Sequence, residues 1–154
     1  MIRKRFVIHE HHARRLHFDL RLEIGGVLSS WAVPKGVSMD PADKRLAVAV
    51  PDHSLSYINF EGTLPEGTYG AGEVRVWDDG HYETRDDPGR QLEKGKIVFE
   101  FFGLKVRGEF ALVRMSGQDK NWLLIKADDA FADPSWKLET VLAPKPARAR
   151  SAKR

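Results

Sequence analysis

Between residues 9 and 23 the chain gathers side chains able to hold a cation and an anion together: His9, His11, His12, His17, Asp19 and Arg21. Four of the six histidines fall in this stretch. From residue 15 to 23, Leu16, Phe18, Leu20 and Leu22 alternate with Arg15, His17, Asp19, Arg21 and Glu23, the period of 2 that marks a strand. His17, Asp19 and Arg21 therefore share one face, with next-but-one neighbours about 7 Å apart. His11 precedes His17 across a short turn that can fold it back alongside. Two imidazoles and one carboxylate suit a divalent transition metal such as manganese, iron or zinc. Three protein ligands leave positions for water or substrate, which is the arrangement of a catalytic site rather than a structural one. Arg21, one step beyond the carboxylate, sets a fixed cation against any anion the metal holds. The competing reading of such a face is a solvated surface with weak ion pairs. His9 and His12 fit either ligation or the surface.

Further along, Lys35 on a Pro-Gly turn, Arg45 at the head of a strand and His53 after Pro51-Asp52 are candidates for binding an anion. Lys35 equally suits an exposed turn lysine and His53 a loop cap; as a catalyst His53 would be a proton donor or a phosphate ligand near neutrality. Tyr57 suits a hydrogen-bond donor or a core ring, the core being the commoner fate. The run Gly67-Thr68-Tyr69-Gly70-Ala71-Gly72 lacks the Lys-Ser/Thr ending of a phosphate loop, so its glycines read as turn residues. Trp31, Trp77, Trp122 and Trp136 sit in or beside apolar strands and read as core.

The elements that must position these groups are nearly all strands. Besides residues 15–23, strands are expected at 27–33, 45–50, 57–61, 73–77, 96–102, 105–115 and 121–126. Gly25-Gly26 and Asp78-Asp79-Gly80 carry hairpin-turn chemistry. Helical periodicity is nearly absent, residues 128–136 making a short helix at best, limited by Pro134. The fold class is all-β: a compact closed antiparallel β-barrel of roughly eight strands, with little helix. Residues 1–142 form the barrel domain. Residues 143–154 contain only Ala, Pro, Lys, Arg and Ser, the composition of a basic disordered tail or linker.

At 154 residues, 42% hydrophobic and 31% charged, the chain has enough apolar surface for one buried core. The absence of cysteine excludes a disulfide scaffold, a zinc ribbon, an iron–sulfur site and a thiol nucleophile. No apolar run approaches membrane-spanning length, and the charged Met1-Ile2-Arg3-Lys4-Arg5 start has no apolar stretch behind it, so a cytoplasmic protein without a signal peptide is expected. The net charge of +3 is unevenly spread, basic at both ends around an acidic middle. That distribution does not by itself make the chain a general binder of nucleic acid.

These residues resemble a known family. Arg5-Phe6-Val7-Ile8, His11, and Arg15 through Glu23 look like the signature of the 3′-phosphoesterase domain of bacterial DNA ligase D. The likeness continues through Ser30-Trp31-Ala32-Val33-Pro34-Lys35-Gly36, Lys44-Arg45-Leu46-Ala47-Val48 and Asp52-His53 with Tyr57. It then takes in Phe60-Glu61-Gly62, Pro65-Glu66-Gly67, Tyr69-Gly70-Ala71-Gly72 and, near the end, Trp122-Leu123-Leu124-Ile125-Lys126 and Asp128-Asp129-Ala130-Phe131-Ala132. The resemblance implies a closed β-barrel enzyme that trims DNA 3′ ends during nonhomologous end joining. It would remove a 3′-phosphate and act as a phosphodiesterase on ends that carry ribonucleotides. Manganese is the implied metal, with Co2+ or Zn2+ as alternatives.

The resemblance makes His11, His17 and Asp19 the metal ligands. Arg21 and His53 would contact the phosphate, with Tyr57 nearby and Lys35 and Arg45 in support. His9, Glu23 and Asp52 would stand in the outer shell, and Arg14 and Arg15 would meet DNA. The implied partners are DNA 3′ ends on primer-template or nicked duplex, ligase and polymerase modules, and Ku. The protein is expected to be a monomer associated with the nucleoid, freestanding or excised from a larger ligase. Two positions depart from the family pattern: Pro51 stands where a Glu is usual, and His9 where a Gln is frequent. Two other readings remain at this stage. One is a two-histidine, one-carboxylate non-haem iron oxygenase drawing on His53 or His81; the other is a non-catalytic nucleic-acid-binding module.

Overall fold

The computed structural model describes residues 1–142. Eight antiparallel strands close a barrel: β1 (Ile2–His12), β2 (Leu16–Ile24), β3 (Val27–Val33), β4 (Lys44–Ser54), β6 (Gly72–Thr84), β7 (Lys96–Phe102), β8 (Arg107–Arg114) and β9 (Asn121–Lys126). Their order is β1-β2-β3-β4-β9-β8-β7-β6, and β6 pairs back with β1 to close the ring; the short β5 (Gly62–Leu64) adds to β6 alone. The expected closed all-β barrel is therefore what forms.

Inward side chains make a largely aromatic core. Phe101 touches Phe6, Phe99 and Phe110 with ring centroids 4.5–5.1 Å apart. Trp31, Trp77 and Trp122 are buried, as expected of core residues. Residues 133–142 run across the barrel as a strap. Trp77 Nε1 donates to Glu139 O, Trp136 Nε1 donates to Val37 O, and the fully buried Glu10 carboxylate accepts the backbone N–H groups of Val141 and Leu142. The tail expected from residue 143 onward lies outside the described residues.

The β2–β3 hairpin turns where expected, on Gly25 (φ 61°) and Gly26 (φ 84°), the two positive angles a tight hairpin needs. Four local expectations are corrected. Ile2–His12 is a strand that alternation misses, because Phe6 through His12 are all buried: the inner face meets the core while the outer face lies under a second layer. Residues 57–61 are not a strand. Leu55–Asn59 forms a 3₁₀ turn started by Ser54, whose side chain accepts from Ser56 N, and its Ile58 packs on Val7 and Leu28.

Asp78-Asp79-Gly80 is not a hairpin turn but an irregularity inside the continuous β6. The Asp78 carboxylate accepts N–H bonds from Leu104, Lys105 and Val106, and a Cβ on Gly80 would lie 2.3 Å from Phe102 O. Turn-forming residues here serve a bulge where the strand changes partners. The helix expected at 128–136 is replaced by turns. A helix does form at Pro88–Lys94 (α1), capped by Asp87 and ended by Gly95 at φ 84°, a start-and-stop pattern plain in the sequence.

Candidate active site

The site lies on the outer face of β1 and β2. Their register sets His11 opposite His17, His9 opposite Asp19 and Val7 opposite Arg21. The turn at residues 13–15 thus folds His11 back beside His17, their ring centroids 4.7 Å apart. This face is not solvated, because the 3₁₀ turn and the 65–71 segment roof it. Asp19 is 6% exposed and Arg21 4%.

Each ligand candidate is held by its far end. His11 Nε2 lies 2.6 Å from Gly70 O, and His17 Nδ1 lies 3.2 Å from Arg15 O. A carbonyl only accepts, so each of these nitrogens carries the proton and the opposite nitrogen turns its lone pair inward. There His11 Nδ1 stands 3.4 Å from Asp19 Oδ2, and His17 Nε2 stands 3.2 Å from Asp19 Oδ1. The three donor atoms all fall within 4.8 Å of one another, and this is the only such grouping of histidine and carboxylate groups among the described residues. Inward lone pairs around an ionised carboxylate, with tautomers set from outside, fit a divalent cation. Without an ion, an inward nitrogen can bind a proton in its place: burial opposes ionisation of Asp19, but hydrogen bonds that His11 and His17 would then donate, with the charge of Arg21, outweigh it and hold the carboxyl well below its usual range. For His17 burial is likewise outweighed by Asp19, and the imidazole pKa is raised.

Arg21 ties the rest together. Its Nε donates to His9 Nδ1 at 3.0 Å, its Nη1 donates to Ser30 Oγ at 2.9 Å and to His53 Nδ1 at 3.0 Å, and its Nη2 lies 3.3 Å from Asp19. Of its five N–H donors, only one on Nη2 is left for a ligand. Accepting from an arginine requires neutral rings. Burial and the Arg21 charge push the His9 pKa down to about 3 and lower that of His53 as well. Tyr57 stacks on Phe60, lies 5.2 Å below the Arg21 guanidinium and has its pKa raised by burial.

A cavity of about 320 Å³ opens over this floor. His11, His17, Asp19, Arg21, His53 and Tyr57 line it, with Ala13, Ala32, Val50, Pro51 and Leu64 as apolar walls and Tyr69 and Gly70 at one side. Six of the expected site residues therefore converge. His9 stands behind them as the partner of Arg21. His12 turns to the inner face and pairs with Glu10 at 2.6 Å.

Lys35, Arg45, Glu23 and Asp52 do not line the cavity. Lys35 is exposed on its turn, Arg45 lies 3.5 Å from Asp43, Glu23 accepts the Arg5 backbone N–H, and Asp52 is exposed. Arg14 and Arg15 are exposed on the adjoining turn. Sequence reading missed Ser30, Gly70 and Tyr69. Ser30 was within reach, since counting back from Gly25-Gly26 sets it opposite Arg21. The Gly70 carbonyl leaves no mark on residue type.

A family model of the DNA ligase D 3′-phosphoesterase domain matches residues 9–114. The chain is 51% identical over 130 residues to the multifunctional non-homologous end joining protein LigD of Pseudomonas aeruginosa, covering 83% of this chain and 16% of that protein. It is 47% identical over 133 residues to LigD of Mycolicibacterium smegmatis, covering 81% of this chain and 17% of the relative. It is 46% identical over 121 residues to LigD of Mycobacterium tuberculosis, covering 77% and 15%. The chain thus spans a small fraction of the length of these relatives.

Proposed function

The chain belongs to the DNA ligase D 3′-phosphoesterase domain family, and we propose that it is a metal-dependent phosphoesterase that clears 3′-phosphates and 3′-ribonucleosides from DNA ends in nonhomologous end joining. The observation that carries this reading is the convergence of the His11, His17 and Asp19 donor atoms within 4.8 Å on the floor of a cavity that also holds Arg21 and His53.

His11 Nδ1, His17 Nε2 and an Asp19 oxygen would hold the ion, with Mn2+ the choice the family favours and Co2+ or Zn2+ compatible with the same donors. When bound, such a metal supplies a Lewis acid for a non-bridging phosphate oxygen. The residues do the rest. Arg21, fixed by three partners, directs its remaining N–H at a phosphate oxygen without reorganising as charge builds. His53 keeps its proton on Nε2, because Nδ1 accepts from Arg21. It therefore acts by donating a hydrogen bond to the departing 3′ oxygen rather than as an imidazolium acid. For a 3′-phosphate, the attacking water forms the new phosphorus–oxygen bond, the bond to the 3′ oxygen breaks with its electron pair, and a proton from that water ends on the 3′ hydroxyl. For a terminal ribonucleoside the bond that breaks is to its 5′ oxygen, which takes the proton and departs as the 5′ hydroxyl of the free ribonucleoside. Tyr57 walls the cavity and braces the guanidinium through its ring.

The substrate is a DNA 3′ end on primer-template or nicked duplex, met by Arg14 and Arg15 beside the cavity. Ligase and polymerase modules and Ku are the proposed partners, and the nucleoid is the proposed location. The oxygenase reading has less behind it, since neither His53 nor His81 joins the donor cluster. The test is phosphate release from a 3′-phosphorylated oligonucleotide with and without Mn2+. The parent should turn over only with metal, and His11→Ala and Asp19→Ala should lose at least a hundredfold. Release by either variant at the parent rate would refute the site.

A further inference from the structure

The segment between β5 and β6 carries an aromatic ring with nothing of its own to pack against. Tyr69 is 87% exposed, whereas Tyr82 is fully buried and Tyr57 is stacked on Phe60. A single exposed ring needs no explanation on an open surface. Tyr69 differs because it lines the cavity that holds the charged floor, where an aromatic face is placed to meet a ligand. The backbone presenting it is well tied. Thr68 N donates to Pro65 O, Ala71 N donates to Thr68 O, and the next residue, Gly70, gives its carbonyl to His11. At Gly72, where β6 begins, a Cβ would sit 2.2 Å from His12 O, which presses the loop onto β1. Tyr69 therefore stands at a set place beside the donor cluster and shares its cavity.

The cavity divides by chemistry. Charged and imidazole groups occupy its floor, while Ala13, Val50, Pro51 and Leu64 give walls without charge. A ligand that suits both has an anion at one end and an uncharged ring surface at the other. Resting on the proposed activity, we infer that Tyr69 is the stacking platform for the base of the 3′-terminal nucleoside whose phosphate lies on the His11–His17–Asp19 floor. Stacking uses the π-face common to every base, so the platform holds the end without reading its sequence. It also lies one residue from the carbonyl that orients His11, so a filled platform and a correctly aimed ligand belong to the same loop.

The experiment compares two oligonucleotides in Mn2+, one ending in an ordinary nucleoside 3′-phosphate and one ending in an abasic deoxyribose 3′-phosphate. The parent should favour the base-bearing end about tenfold in kcat/KM, the size expected of one base–aromatic stack. In Tyr69→Ala that preference should fall to within about twofold, mostly through KM, because stacking binds ground and transition states alike. Tyr69→Trp should keep it. A second probe needs no turnover: a terminal 2-aminopurine on the same 3′-phosphorylated strand should be quenched on binding the parent and much less on binding Tyr69→Ala. Equal losses on both substrates in Tyr69→Ala would overturn the inference, assigning Tyr69 only to the shape of the loop and to His11. Absence of any end preference in the parent would also overturn it. Failure of the parent to release phosphate from either end would instead refute the activity on which the inference rests, and the inference with it.

Discussion

Arg21→Lys is the most informative substitution, because it keeps a charge near Asp19 while removing the shape that holds the site. Arg21 donates to His9, Ser30 and His53 and faces Asp19, all from one planar group 4% exposed. A lysine ammonium is a single point with three donors and cannot span these partners. His9 would lose the bond to Nδ1, and its Nε2 already has no partner, so a fully buried ring would be left without hydrogen bonds. Stranding one buried acceptor costs about 1–3 kcal/mol. Ser30 still donates to Leu28 O, and half-buried His53 can turn to water, so these two add less. The sum is about 3 kcal/mol, equivalent to a drop of roughly 6–12 °C in Tm for a domain this size. Urea unfolding of Arg21→Lys, His9→Phe and the double variant measures it, and the cycle should show a coupling of about 1 kcal/mol or more between the two positions. A loss under about 1 kcal/mol together with zero coupling would refute the view that Arg21 is a keystone of the outer layer.

Other outcomes follow from the same geometry. His9 titrates at about 3 in the folded chain against 6.5 for an unperturbed imidazole, so it contributes stability above pH 6.5 that is lost as pH falls toward 3, up to about 5 kcal/mol. His9→Gln retains an acceptor for Arg21 without that liability, and its acid-unfolding midpoint by circular dichroism should move to lower pH. Asp78→Asn weakens the carboxylate that gathers three backbone N–H groups at the β7–β8 turn; a loss of about 2 kcal/mol in urea unfolding is expected, with no change in metal affinity. Mn2+ at a hundred times its dissociation constant should stabilise the parent by about 2.7 kcal/mol in thermal melts, and Asp19→Asn should abolish most of that shift.

Much of this protein is written in local pattern. Alternation across residues 15–23 marks a strand with His17, Asp19 and Arg21 on one face, the paired glycines set the hairpin, and turn-rich short strands imply a closed barrel. The donor set was legible because ligand type and a period of 2 are both local properties, and the short turn at 13–15 leaves His11 one place to go. Patterns of that kind say which face a residue occupies but not what lies above it. The polar face of β2 has the alternation of a solvated surface, yet the 3₁₀ turn of Leu55–Asn59 and the loop of Tyr69 cover it, so Asp19 and Arg21 are buried. The strand β1 was hidden for the same reason, since burial on both faces erases alternation. His12 and Glu10 look like surface neighbours of the candidate donors, but one step of the pleat turns them inward, where they pair and Glu10 carries the strap at residues 141 and 142.

The sequence by itself determined the types of the candidate donor groups, their shared face and the barrel class, because each follows from spacing along one or two strands. Only the tertiary structure decided which nitrogen of each histidine turns inward, which charges are dry and where the exposed ring of Tyr69 stands. Those depend on the Gly70 and Arg15 carbonyls, on three acceptors around one guanidinium and on a roof made of distant segments. Backbone carbonyls are alike at every residue, so only folding selects the ones that aim a ligand.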